Sequence, residues 1–284
     1  MIADDRVVDA GPLDVLLKNH ENRIGKLEET SHATIFKRIT ASASALFLGL
    51  ILTFASLHDT FVSKPEADRI ARLSEFNKAV NSAAQLRQEI TKSQFDSANP
   101  SLQLAMVSAV TPQILNDVST ARAILKDLKR EDVGIPQLIV LTSEAFTVGD
   151  VENARVFVAR AVAITDATSY LRSEAKRYEG RLFFLTGDAN RGRKSFNDAV
   201  TLLGDAAATL SARSYVLADL VLYEYSAGDC AIAGTEFKTL LDTIKGVHDR
   251  SRAQVGETVK AQLLQLQGGR CPAPQNLDAL ISNP

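Results

Sequence analysis

Gly180-Arg181-Leu182-Phe183-Phe184-Leu185-Thr186-Gly187-Asp188-Ala189-Asn190-Arg191-Gly192 sets a glycine-aspartate pair between two stretches of helical character, and the same pair returns at Gly149-Asp150 and Gly228-Asp229. A glycine just past a helix relieves the steric penalty of a left-handed backbone, and an aspartate beside it accepts hydrogen bonds from the free N–H groups that open the next helix. Each pair therefore predicts a tight turn between two helices. Recurrence at a period of about 34 to 42 residues predicts stacked helical hairpins, none of which buries its apolar face without its neighbours. An all-α fold is expected.

Counting outward from each glycine gives alternating small and large positions through which antiparallel helices interlock. One unit reads Gly180, Phe183, Gly187, Gly192, Phe196, Ala199; the unit before it reads Leu141, Ala145, Gly149, Ala154, Val158, Ala161; the one after keeps Leu220, Gly228, Ala233, Phe237 and Leu240. On these residues the chain resembles the tetratricopeptide repeat family over about residues 136 to 245, with a partial unit on either side. It departs from that pattern where Val221 and Glu224 take a small and an aromatic position, where Asp166 replaces a closing proline, and in having no tryptophan. The resemblance implies an α-α hairpin solenoid that binds protein segments along the inner face of its first helices. Carried across, it puts Phe146, Phe184 and Tyr225 in an aromatic row on that face, with Arg177 and Arg181 beside them to meet a peptide carboxylate or acidic side chain. The same aromatics could instead be core, and the arginines could pair with Glu174 or Glu179. The lysine and asparagine clamp by which some family members hold chaperone C-termini is not reproduced.

The chain has 284 residues, enough for one sizeable domain with accessory segments. Its 32 basic side chains nearly balance 34 acidic ones, so no net field draws nucleic acid, and no basic patch interleaved with aromatics occurs. Residues 39–57 carry no charge, and at about 1.5 Å per residue they match a hydrocarbon core of about 30 Å. A transmembrane helix is expected there, with a cleaved export signal and a buried helix as the other readings. Lys37 and Arg38 just before it favour an inside N-terminus. The expected division is then a cytoplasmic segment 1–38, a single transmembrane helix 39–57, a helical linker 63–98 and a repeat domain 101–284 outside the cytoplasm. That layout is similar to bacterial inner-membrane proteins with periplasmic tetratricopeptide domains, which implies a membrane-anchored binding protein, in envelope assembly or export, or a self-associating spacer. Ala41, Ala45, Gly49 and Thr53 recur every fourth residue and offer a ridge for a homodimer.

Cys230, in the turn of the third unit, and Cys271, where the turn of a fourth should fall, are the two cysteines. Equivalent turns stack along one edge of such an array, so a Cys230–Cys271 disulfide is expected, with two free thiols as the other reading; the bridge requires an oxidising compartment. Upstream, Ser63-Lys64-Pro65-Glu66 opens a helix whose apolar seam, Leu73, Phe76, Val80, Ala83 and Ile90, either folds onto the first repeat or joins chains in a coiled coil. Asn99-Pro100 should end it, and Thr111-Pro112 should start another. His20, His32, His58 and His248 lie far apart in sequence, and no nucleophile elbow, phosphate loop or Cys/His cluster occurs. The expectation is a binding protein with no cofactor, no metal and no enzymatic site.

Overall fold

The computed structural model describes residues 64–96, 100–264, 271 and 277–280. The chain divides into Met1–Asp68 and Arg69–Pro284, and the packing described below lies within the second unit. Nine α-helices are described: α1 (Lys64–Asp96), α2 (Pro100–Leu125), α3 (Ile135–Thr147), α4 (Val151–Val162), α5 (Ser169–Leu185), α6 (Ala189–Leu203), α7 (Leu210–Ala227), α8 (Cys230–Lys245) and α9 (Asp249–Leu263).

The three glycine-aspartate turns share one local geometry. Gly149, Gly187 and Gly228 have φ of 75°, 83° and 89°, a conformation that costs an L side chain strain. At each, the aspartate N–H reaches back five residues, to the carbonyls of Ala145, Phe183 and Glu224 at 2.8, 2.8 and 3.2 Å. That satisfies acceptors the ending helix leaves free. Asp150 and Asp188 then cap the next helix, accepting from the N–H of Asn153 at 3.0 Å and of Arg191 at 3.1 Å. Asp229 makes no such cap; its carboxylate is held by Arg193 at 2.9 Å instead.

The helices pair as hairpins α3/α4, α5/α6 and α7/α8, and within α5/α6 small residues meet rings. A Cβ on Gly180 would lie 2.6 Å from the Phe196 ring, and one on Gly192 would lie 2.5 Å from Phe184. Those two glycines are what let α5 and α6 approach. The first helices α3, α5, α7 and α9 lie side by side, and α1 runs along α3 in the same direction, Asn77 meeting Gln137 and Arg87 meeting Thr147. The apolar seam of α1 is folded back: Phe76, Val80 and Ile90 share a core with Ile114, Leu138 and Leu141. A second core joins Phe196, Leu203, Val216 and Leu220, and a third joins Phe237, Leu240, Val259 and Leu263 with Cys271 and Leu280.

Two expectations are corrected. The fold is all-helical, but a single transmembrane helix is not supported: among the described residues no helix is long and apolar enough to cross a membrane. The longest, α1, carries charges from Lys64 onward, and a charge at mid-bilayer costs several kcal/mol, of order 3. Residues 39–57, the flanking segment 1–38 and the small-residue ridge at Ala41 to Thr53 lie outside the described residues. Thr111-Pro112 does not open a new helix either. Pro112 sits inside α2, where its ring removes one donor, and Thr111 Oγ donates to the Val107 carbonyl at 2.7 Å.

Candidate functional site

The expected inner face begins on α3. Phe146, in its last turn, is half-buried and lies parallel to the Tyr178 ring of α5, with centroids 6.2 Å apart and planes 5° apart. The Arg181 guanidinium covers the same ring at 4.7 Å. Arg177 and Arg181, one helical turn apart on α5, both donate to Asp219 Oδ2 of α7, each from Nε at 2.6 Å. Gln262 of α9 donates to the other oxygen, Oδ1. Arg177 also reaches Glu174 at 3.2 Å. One carboxylate, 1% exposed, thus gathers donors from the two first helices that flank its own. Burial alone would push its carboxyl up; the Arg177 and Arg181 charges and their hydrogen bonds outweigh that and hold it below the ordinary carboxylate range.

The remaining predicted residues go elsewhere. Phe184 is wedged between Phe196, at 6.0 Å, and Tyr223, at 5.6 Å, and fills the space that Gly192 leaves. Tyr225 is 6% exposed and packs in the core of the last hairpins. Of the five residues, Phe146, Arg177 and Arg181 come together at Tyr178; Phe184 borders that group through Tyr223, and Tyr225 stands apart from it. Cys230 and Cys271 form a disulfide with Cα atoms 5.4 Å apart.

Three buried carboxylates escaped the sequence reading. Asp219 is one. Glu224, at an aromatic position of the repeat, is fully buried and paired in two parallel bonds with Arg193 of α6, at 2.6 and 2.8 Å. Glu144 of α3 is 4% exposed, and its Oε2 has no hydrogen-bond partner. The signal available was an acid inside an apolar helical run, as in Ala218-Asp219-Leu220-Val221. An acid in such a run implies a cation brought to it from a neighbouring hairpin.

Chemically, the half-buried Phe146 and Tyr178 rings offer an apolar shelf edged by a guanidinium, suited to an aromatic or aliphatic side chain with a carbonyl or carboxylate nearby. Among the described residues no group of three or more His, Cys, Asp or Glu side chains could hold a metal ion. A cleft of about 590 Å³ lies at the end of the hairpins opposite the glycine-aspartate turns, between Arg130–Pro136 and Ile164–Ala167, and none of the five predicted residues borders it. Comparison of the chain with protein-family models, with curated proteins and with solved structures finds no match in any of the three.

Proposed function

We propose that this chain is a tetratricopeptide-like binding protein whose first helices take a segment of another protein across Phe146, Tyr178 and Arg181, in an oxidising compartment. The observation that carries the reading is the stacked Phe146–Tyr178 pair with Arg181 over it, on adjacent first helices and left half-exposed. Apolar rings that remain partly wetted beside a guanidinium match the aromatic and arginine enrichment of binding hot spots. The Cys230–Cys271 disulfide supports the compartment.

Site-resolved photocrosslinking tests it. A photoreactive side chain at Ser143 or Leu222, near the inner row, should give adducts with other proteins, mapped to one segment by mass spectrometry; the same group at the exposed Thr201 or Lys238 on second helices should not. Tyr178→Ala should weaken the captured segment's binding about thirtyfold, the usual cost of an aromatic anchor. Equal adducts from both faces, or adducts only between copies of this chain, would overturn the reading.

A further inference from the structure

Glu144 lies on α3 between Gln137 and Thr147, the two residues through which α3 meets α1. On that line Gln137 donates to Asn77 one way along the helix, and Arg87 donates to Thr147 Oγ1 the other way. Arg87 is therefore parked one turn beyond the carboxylate, while Glu144 Oε2 stays buried without a donor. A buried acceptor left without a donor is destabilising, and more so when charged. The helices around it bring little compensation. From α1, Arg87 is the charge that acts on Glu144; on α4, Glu152 is held by Arg122 and Arg160 by the Leu128 carbonyl, and on α5, Arg177 and Arg181 are held by Asp219. The two charges of α2 are Asp117 and Arg122, and Arg122 is held by Glu152 and Asn153.

We propose that the α1–α3 contact is gated by a proton: protonated Glu144 lets α1 seat on α3, and loss of that proton opens the contact. Burial pushes the Glu144 carboxyl up from 4.5 to about 7, with Arg87 pulling it back. Opened to water, it returns toward its ordinary value. The closed form thus holds the proton more tightly, and opening grows as pH rises from 4.5 through 7. The window spans neutrality, so a change in compartment pH would alter access to the α3 side of the inner face.

Amide exchange of residues 77–90 in the full chain, corrected for the intrinsic rate at each pH, reads the opening. With those two values, the opening constant should rise about tenfold between pH 6 and pH 8. Glu144→Gln should abolish that rise. Arg87→Leu should move its midpoint to higher pH, since it removes the charge that pulls the value down. The same pH dependence in wild type and Glu144→Gln, or a downward shift in Arg87→Leu, would overturn the proposal. A titration of the wild-type Glu144 carboxyl carbon by NMR needs no variant: a midpoint near 7 supports the gate, and one near 4.5 removes it.

Discussion

Asp219 concentrates the electrostatics of the inner face in one side chain. Its two oxygens receive Arg177, Arg181 and Gln262, so removing the carboxylate strands Arg181 and leaves Arg177 with Glu174 alone, two guanidinium groups that are only 20% and 16% exposed. Breaking such a cluster from one side typically costs about 3–5 kcal/mol, well above the worth of a surface pair. Asp219→Ala should lose that much in urea denaturation. The pH dependence has a definite sign: a carboxyl held below its ordinary 3.8 stabilises the fold above that value, and the contribution fades as pH falls through the lower folded value. The gap between wild type and Asp219→Ala should therefore be constant from pH 5 to 7 and shrink below about 3.8. A gap that widens on acidification would mean that the two arginines are not held by this charge. Arg181→Glu would set an acid against Asp219, so that variant should lose stability as well as binding.

At the scale of the helix, glycines separate by what stands opposite them. Gly180 and Gly192 lie in helix interiors, where glycine is worth about 1 kcal/mol less than alanine, yet each faces a phenylalanine ring too close for a Cβ. Overpacking costs about 1–3 kcal/mol, so Gly180→Ala and Gly192→Ala should each destabilise despite the better helix former. Gly234, within α8, has nothing within 4 Å of a built Cβ and no left-handed backbone. Gly234→Ala should stabilise by about 0.5–1 kcal/mol. Denaturation midpoints of the three variants check this, and a gain at Gly180 equal to that at Gly234 would mean that α5 and α6 are not in close contact. The glycine-aspartate turns were legible in sequence because their chemistry is local, glycine for the backbone angle and aspartate for the cap. Pro112 misled because proline marks a helix start in most settings, whereas α2 runs through it with its face buried in the first core.

For the whole molecule, the Cys230–Cys271 bridge closes a loop of 41 residues and ties the chain beyond α9 to the first residue of α8. The chain-entropy model values that loop at about 4 kcal/mol. Cys271→Ser should lower stability by up to about that amount, with amide protection lost first in α9, whose core includes Cys271 and Leu280, and retained in α3 to α6. Uniform loss along the chain would mean that the hairpins unfold as one unit. The sequence by itself determined the hairpin order, the three turns, the seam of α1 and the cysteine pair, because each rests on spacing along the chain or on the stacking of equivalent turns. Only the tertiary structure decided which polar residues are buried and with what: Asp219 meets partners 42, 38 and 43 residues away, and Glu224 meets Arg193 across 31. It likewise turned Tyr225 inward while leaving Phe146 and Phe184 half-buried. Helical periodicity says which residues share a face, but the cost of burying a charge is settled only when neighbouring hairpins bring its counter-charge within reach.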